Sequence, residues 1–474
     1  MNKSNMTRDQ QYINDILAIS LNHASNMGDD HHRPQWHFSP LLGLLNDPNG
    51  LAYFNGEYHL FYQWNPKACT HGAKAWGHAT SKDMINWTHQ PLALAPTEDF
   101  ETHGCYSGSG LVVDGKLELF YTGNVKYADG GRTAYQCRAT LEKEGQVEKQ
   151  GIVLELPEGY SGHVRDPKVW KYDDLYYMVL GAEDLNYKGQ VLLYSSVDLN
   201  QWELIGEVFG DGNNGYQSDD FMLECPDLFP LGGKHVLVSC PKNWVEKEGV
   251  KTETFDVTYH VGNLDHSNAV FEHGAGTLMD HGFDFYAPQT MEDEEGRRII
   301  FGWMGKPDEF EAYQPTIKSG WIHQMTCPRE LILKGDKVIQ KPAKELEKLR
   351  QSPQVFQAET IELDGLSVEL YLPDLTGISM TIDVADDFRI STSEVGLETC
   401  RKNLKTGEWE MILWEGDVTS LRVLRDHSCV EVFINEGEAV STSRFFGKAI
   451  NNQQKAGLVL SSKQAVAGSH WQLI

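Results

Sequence analysis

Three acidic residues occupy matching positions in a repeated pattern. Each lies eight or nine residues before the second residue of a tight turn: Asp47 before Gly56, Asp166 before Asp174, and Glu224 before Gly233. Each is also followed by proline within two residues. Cleavage of a glycosidic bond needs one carboxylate held ionised and another kept protonated. We therefore predict that these acids meet in one site, where mutual repulsion and partial burial separate their pKa values.

These acids have two other interpretations. Asp-Pro pairs commonly begin turns, so any one of the three could be purely structural. Converging carboxylates could also bind a cation such as Ca²⁺, but no ligand-loop spacing accompanies them. The sequence thus predicts no metal site and no organic cofactor.

Residues near the acids in the same pattern suggest a sugar pocket. Ser107 precedes its turn residue, Gly115, by eight positions, and Asp284 precedes Gly296 by twelve. Gln63 and Trp303 end the next strand in the first and fifth units, although Trp303 could equally be a core residue. Hydroxyl, amide and aromatic groups around acids provide hydrogen bonds and a stacking face for a sugar ring.

The repeat itself predicts the fold. Turn residues followed by apolar strands recur at positions 56, 115, 174, 233 and 296, at intervals of 59, 59, 59 and 63 residues. Asn-Gly and Asp-Gly pairs favour two-residue hairpins. A second pattern, Ser-x-Asp-x-x-x-Trp, occurs at 81–87 and 196–202, close to two periods apart. Five all-β units of about 60 residues are typical of a five-bladed β-propeller.

The repeat ends near residue 340. We predict an all-β chain with four parts: an N-terminal helical extension (1–32), a propeller that forms the catalytic domain (33–340), a linker helix (341–351) and a C-terminal β-sandwich (352–474). The extension carries an amphipathic helix over 9–27 with Ile13, Ile16, Leu17 and Leu21 near one face, ending at 27–30. Period-two strands such as 378–384 and 430–434 indicate the sandwich.

Composition excludes several classes of partner. With 41 basic and 68 acidic side chains, the net charge of −27 disfavours binding to nucleic acid and to acidic membranes.

No apolar run is long enough for a transmembrane helix, and acidic residues precede the short apolar run at 16–21, unlike the basic residues that precede the apolar segment of a signal peptide. Eight dispersed cysteines without a CxxC pair indicate reduced thiols. We therefore expect a cytoplasmic protein.

Several motifs together resemble glycoside hydrolase family 32, the invertase and fructan-hydrolase family. The three acid motifs are Asn46–Gly50, Arg165–Pro167 and Glu224–Cys225. Further matching stretches lie at 62–66, 76–79, 106–109, 302–303 and 430–435. The resemblance runs from about residue 33 to the end, and it implies a propeller followed by a β-sandwich, in agreement with the repeat.

The resemblance also implies a role for each acid in a retaining double displacement. Asp47 would attack the anomeric carbon of a β-fructofuranosyl unit, and Glu224 would protonate the departing oxygen and then deprotonate water. Asp166 would bind fructose hydroxyls and stabilise the transition state, with Arg165 beside it. The residues implied to line the fructose subsite are Asn46, Gln63, Tyr106, Ser107 and Trp303.

One departure bears on the substrate. Many invertases have Trp where this chain has His71, and the stretch His71–Lys74 resembles the bacterial sucrose-6-phosphate hydrolase branch instead. Lys74 and His71 could bind a phosphate or could be ordinary loop residues.

The expected partner is a small sugar, sucrose or its 6-phosphate. Fructan hydrolysis or fructosyl transfer would use the same acids, and a non-catalytic sugar-binding protein is the alternative from another class. The sandwich is expected either to stabilise the propeller or to form a homo-oligomer contact.

Overall fold

The structure, a computed structural model, describes residues 7–24, 30–143, 145–213, 215–247, 250–447 and 457–474. It begins with helix α1 (Arg8–Ala24), close to the predicted helix, whose predicted end at 27–29 lies outside the described residues. Ile16 is buried against the propeller, whereas Leu17 is exposed. The apolar face of α1 is therefore narrower than predicted.

Five sheets of mainly antiparallel strands follow α1, and a separate hairpin (β15–β16) extends from the fourth. Their strands in chain order are β1 (Gly43–Phe54), β2 (Glu57–Asn65), β3 (Ala75–Ser81), β4 (Thr88–His89); β5 (Cys105–Val113), β6 (Lys116–Lys126), β7 (Arg132–Leu141), β8 (Val147–Leu154); β9 (Tyr160–Tyr172), β10 (Leu175–Asp184), β11 (Gly189–Ser196), β12 (Glu203–Gly210); β13 (Met222–Leu231), β14 (Lys234–Lys242), β15 (Trp244–Lys247), β16 (Val250–Glu253), β17 (Thr258–Asp265), β18 (Val270–His273), β19 (Thr277–Leu278); β20 (Tyr286–Glu292), β21 (Arg298–Met304), β22 (Trp321–Ile322), β23 (Gln324–Met325), β24 (Arg329–Lys334) and β25 (Lys337–Pro342).

The predicted five-bladed propeller is confirmed. β1, β5, β9, β13 and β20 contact one another around a ring as the innermost strands of the five blades. β22 pairs in parallel with β1, which joins the fifth repeat to the first blade and closes the ring. The predicted hairpins form as well: Asn55 (φ 53°) and Gly56 (φ 82°) both have positive φ, as a two-residue type I′ turn requires.

Each innermost strand has a β-bulge at the same level, and the three predicted acids lie at or beside these bulges. A bulge interrupts the hydrogen-bond ladder and redirects a side chain. Proline, which has no N–H to donate, is tolerated at such positions. It occurs at four of the five bulges, at Pro48, Pro167, Pro226 and Pro288. The prolines that follow the acids thus mark where the strands turn side chains into the central channel.

The predicted sandwich is also confirmed. Its strands are β26 (Gln354–Leu363), β27 (Ser367–Leu372), β28 (Met380–Val384), β29 (Phe388–Thr392), β30 (Gly396–Lys402), β31 (Trp409–Glu415), β32 (Leu421–Asp426), β33 (Cys429–Ile434), β34 (Ala439–Arg444) and β35 (Leu458–Gln472). The start of β35 pairs with β28 and its end with β27, so it links the two layers around one apolar core.

Short 3₁₀ helices complete the described secondary structure; they span Glu311–Tyr313, Pro315–Ser319, Lys344–Leu349 and Asn435–Gly437. The one at Lys344–Leu349 lies within the predicted linker helix and follows β25 directly. In the described ranges, no helix is long and apolar enough to cross a membrane. All eight cysteines are free thiols.

A buried ionic cluster joins the propeller to the sandwich. Arg329 donates to Glu431 through Nε (2.9 Å) and to Asp280 through Nη1 (3.0 Å). His37 lies between Glu431 (2.8 Å) and Asp426 (2.9 Å). Because charges this deeply buried are tolerated only when paired, the cluster fixes how the two domains dock.

Candidate active site

The bulged ends of the innermost strands surround a cavity of about 450 Å³. Eleven of the residues predicted for the site line it: Asn46, Asp47, Gln63, His71, Lys74, Tyr106, Ser107, Arg165, Asp166, Glu224 and Trp303. The three acids come from three different blades, and the propeller therefore brings together residues up to 177 positions apart (224 − 47 = 177).

Asp47 lies at the bulge of β1 and is partly exposed to the cavity. Asn46 Nδ2 donates to its Oδ1 at 2.9 Å, and the Ser107 hydroxyl donates to its Oδ2. Ser107 in turn accepts from Gln63 Nε2 at 2.8 Å. Burial raises the pKa of Asp47 above its usual value, while the bonds from Ser107 and Asn46 oppose that rise. Asp47 is thus a carboxylate held in one orientation with two donors favouring its ionised form.

Asp166 lies at the bulge of β9 with a positive φ of 66°. Its backbone N–H donates to Thr122 Oγ1 (3.1 Å), and its Oδ2 accepts from the backbone N–H of Cys225 (2.9 Å). Strained backbone of this kind persists only where its surroundings hold it, and it concentrates at functional sites. Burial raises the pKa of Asp166 to about 7, against the opposing charge of Arg165.

Glu224, at the bulge of β13, is surrounded by donors. Arg165 Nη2 donates to Oε1 at 2.7 Å, Tyr286 OH donates to Oε2 at 2.7 Å, and Lys242 Nζ lies 3.9 Å from Oε2. Although burial alone would raise the pKa of Glu224, the charges of Arg165 and Lys242 and the Tyr286 hydroxyl lower it to about 2. The surroundings therefore favour the ionised form of Glu224 and raise the affinity of Asp166 for a proton.

Lys74 and His71 both line the cavity. Lys74 Nζ is buried without a hydrogen-bond partner among the described residues, and burial lowers its pKa to about 7 despite the nearby charges of Asp47 and Glu311. His71 Nε2 lies 3.1 Å from Glu311 Oε1, and its ring meets Trp303 edge-on at 6.2 Å. Glu311 thus places a carboxylate beside both side chains.

Two further polar atoms near Asp47 have no hydrogen-bond partner in the described chain. They are Asn46 Oδ1 and Trp303 Nε1, both buried. Leaving a buried polar group unpaired costs about 1–3 kcal/mol, so such atoms accumulate where a ligand completes them. Asn46 Oδ1 can accept a hydrogen bond from a sugar hydroxyl, and Trp303 Nε1 and Lys74 Nζ can donate to one. The flat Trp303 indole can stack against the sugar ring.

The structure corrects one sequence expectation and adds residues that the sequence analysis missed. Asp284 does not face the cavity: its Oδ2 accepts from Arg401 Nη1 and from the backbone N–H of Arg444, both at 2.7 Å, at the contact with the sandwich. The fifth blade contributes Tyr286 instead. Tyr286 precedes Pro288 by two residues, as Glu224 precedes Pro226, so the proline spacing could have identified it.

Lys242 and Arg132 had no comparable sequence signal. Lys242 ends β14 and Arg132 begins β7, and the two positions share no motif. Only the packing of blades two to four brings the two side chains near Glu224.

Comparison with known families agrees with this architecture. Residues 37–342 match the model described as "Glycosyl hydrolases family 32 N-terminal domain", and residues 374–472 match "Glycosyl hydrolases family 32 C terminal". The two matches cover the propeller and most of the sandwich.

Individual proteins are similar over nearly the whole chain. A sucrose-6-phosphate hydrolase of Klebsiella pneumoniae is 47% identical over 418 residues, covering 88% of this chain and 89% of the relative. One of Bacillus subtilis is 42% identical over 452 residues, covering 92% and 94%.

Two solved structures are also similar. The sucrose-6-phosphate hydrolase of Lactobacillus gasseri superposes with a TM-score of 0.84 at 28% identity, covering 99% of each chain. A Bombyx mori GH32 beta-fructofuranosidase mutant in complex with sucrose superposes at 0.83 and 30% identity, covering 98% of this chain and 99% of that one.

Proposed function

Because this chain belongs to glycosyl hydrolase family 32, we propose that it is a retaining β-fructofuranosidase that hydrolyses sucrose and sucrose 6-phosphate. The observation that carries the proposal is the cavity in which three carboxylates from three blades face unpaired sugar-binding atoms. The relatives named as sucrose-6-phosphate hydrolases support the substrate. We further propose that residues 33–340 form the catalytic domain and that the enzyme acts in the cytoplasm, where sugar phosphates are found.

In this proposal Asp47 is the nucleophile. Its carboxylate attacks C2 of the fructosyl unit, forming an ester bond as the glycosidic bond breaks. The contacts from Asn46 and Ser107 support this role because they hold the carboxylate in one orientation and favour its charged form. The Trp303 indole would form another wall of the fructose subsite. Gln63 holds Ser107 in place.

Glu224 is the proposed acid and base, and the charges of the site indicate how it gains its proton. Burial raises the pKa of Asp166 to about 7, so Asp166 is the proposed source of the proton. Fructose hydroxyls that donate to Asp166 would favour its ionised form, and the new negative charge would favour protonation of Glu224. Glu224 then gives that proton to the departing glucose oxygen. Water, deprotonated by Glu224, next attacks C2, releasing fructose with retained configuration and regenerating Asp47.

The remaining residues would bind and orient the sugar. Tyr106 and Arg165 lie beside Glu224, where the bond breaks; Arg165 reaches Glu224 at 2.7 Å. Lys74 and His71 would face the fructosyl side, because Lys74 lies in the field of Asp47 and His71 meets Trp303. Positioning the reacting atoms in this way accounts for a large share of the acceleration in such enzymes.

Asp47→Asn tests the nucleophile assignment. Asparagine has nearly the same shape but cannot form the ester, so kcat for sucrose should fall at least ~10³-fold, about 4 kcal/mol of transition-state stabilisation. Proton NMR of the wild-type reaction should show fructose released first as the β-anomer. Retained activity in Asp47→Asn, or initial release of the α-anomer, would contradict the proposal.

A substrate panel distinguishes the neighbouring activities. We expect kcat/KM to be higher for sucrose and sucrose 6-phosphate than for an inulin oligomer. Trisaccharides formed at high sucrose would indicate fructosyl transfer, and preference for the oligomer would indicate a fructan hydrolase. Calorimetric binding of sucrose without turnover would indicate a sugar-binding protein instead.

A further inference from the structure

Two cations face each other at the cavity end of the second blade. Lys126 ends β6 and Arg132 begins β7, and the two are directly opposed partners in the strand register. Like charges in this arrangement destabilise a sheet. The chain has 68 acidic side chains against 41 basic ones, so carboxylates to neutralise the pair are abundant. Their absence here therefore needs a physical reason.

Neither cation has a carboxylate within ion-pair distance in the described parts of the chain. Lys126 is exposed and lines the mouth of the cavity. Arg132 uses Nη2 to reach Asn124 Oδ1 (2.6 Å) and Nη1 to reach His163 Nδ1 (3.1 Å), both neutral acceptors. Its Nε is buried without a hydrogen-bond partner. Among the described residues, neither cation at the entrance to the site therefore forms an ion pair, and Glu224 acts on Arg132 only from a greater distance.

His103 adds a third donor at the same place. It lines the cavity mouth, and its Nδ1 accepts the backbone N–H of Lys126 at 3.1 Å. A ring whose Nδ1 accepts carries its proton on Nε2. His103 therefore presents an N–H beside the Lys126 ammonium, a combination that suits the oxygens of a phosphate.

Resting on the proposed function, we infer that Lys126 and His103, with Arg132 behind them, bind the 6-phosphate of the glucose unit. The leaving group must extend beyond Glu224, the group that protonates it. Arg165 donates to Glu224 at 2.7 Å and to His163 Nδ1 at 3.1 Å, and Arg132 donates to the same His163 atom. Arg165, Arg132 and Lys126 therefore form a row of cations that leads from Glu224 towards the mouth of the cavity. His71 instead contacts Glu311 and meets the Trp303 ring, and the Lys74 ammonium lies in the field of Asp47 and Glu311.

Lys126→Met tests the phosphate site without disturbing the buried core, because Lys126 is exposed. The measured quantity is the ratio of kcat/KM for sucrose 6-phosphate to kcat/KM for sucrose. We expect it to fall at least about tenfold, since a hydrogen bond to a charged group contributes about 1.5 kcal/mol or more and 1.4 kcal/mol is a factor of ten. Lys143→Met is the matched control: this exposed lysine follows β7 at the opposite end of the same hairpin.

A third variant separates the two candidate phosphate positions. Lys74→Met should lower kcat/KM for both sugars and leave their ratio within about twofold of wild type, because Lys74 acts on the fructosyl side. A selective loss for the phosphorylated sugar in Lys74→Met, with the ratio unchanged in Lys126→Met, would overturn the assignment.

Calorimetry decides the same question without turnover. Wild-type protein should bind glucose 6-phosphate at least about tenfold more tightly than glucose, and Lys126→Met should remove that preference. Equal binding of the two sugars would overturn the phosphate site even if sucrose is hydrolysed. Tight binding of inorganic phosphate with no preference for glucose 6-phosphate would show a general anion site instead. Absence of hydrolysis with the preference intact would contradict the proposed function alone.

Discussion

Ser107→Ala is the sharpest test of how the site keeps its nucleophile ionised. The Ser107 hydroxyl donates to Asp47 Oδ2 and accepts from Gln63 Nε2 at 2.8 Å, so it acts through the carboxylate. Only ionised Asp47 can attack C2. Because the bond favours the ionised form, removing the hydroxyl must raise the pKa of Asp47, which burial has already raised.

The size of the effect follows from the strength of that bond. A hydrogen bond to a charged group contributes about 1.5–3 kcal/mol. Since 1.36 kcal/mol corresponds to one pKa unit, the pKa of Asp47 should rise by about 1 to 2 units. The acid limb of the kcat/KM profile for sucrose should move to higher pH by the same amount. The alkaline limb, which depends on the proton held by Asp166, should stay where it is.

The assay is glucose release across both limbs of the pH profile, for wild type, Ser107→Ala and Ser109→Ala. Ser109 lies on the same strand, but its hydroxyl donates to the backbone oxygen of Pro167 at 2.8 Å and contacts none of the acids. Its replacement should leave both limbs in place. A uniform loss of activity at every pH in Ser107→Ala, with the acid limb unmoved, would refute the argument and show that Ser107 acts on the sugar directly.

Three further predictions concern Glu224 and the domain interface. Tyr286→Phe removes the 2.7 Å bond to Glu224 and should raise the pKa of Glu224 from about 2 by about 1 to 2 units, measurable by carboxyl NMR titration. Glu431→Gln leaves Arg329 with Asp280 as its single carboxylate partner among the described residues and should lower the free energy of unfolding by about 3–5 kcal/mol, seen as a lower Tm in calorimetry. In the wild type, the pKa of Glu431 is lowered to about 2 and that of His37 is raised. Stability from Glu431 is therefore lost as pH falls below about 4.5, and that from His37 as pH rises above about 6.5, so Tm should be highest between these values; a Tm that falls neither below about pH 4.5 nor above about pH 6.5 would contradict the assignment.

Much of the fold was predictable because a propeller is periodic. Equal intervals between hairpins report equal blades, and residues at one level of successive innermost strands must converge on the channel. Asp47, Asp166 and Glu224 were identified in this way. The same reasoning failed for Asp284. Counting residues back from the turn gives the wrong position when a bulge or a longer hairpin loop adds residues. The fifth hairpin loop is longer, and Tyr286 occupies the equivalent position.

The sequence by itself determined the repeat, the two-domain architecture and the acids that share a level, because hairpin turns, prolines at bulges and strand periodicity are local signals. Only the tertiary structure decided which of these acids has the raised pKa and which the lowered one. That choice depends on the distances from Glu224 to Arg165, Lys242 and Tyr286, which come from three different blades. It likewise decided which cations lack an ion-pair partner in the described part of the chain, because Lys126 and Arg132 become significant only when the strand register opposes them.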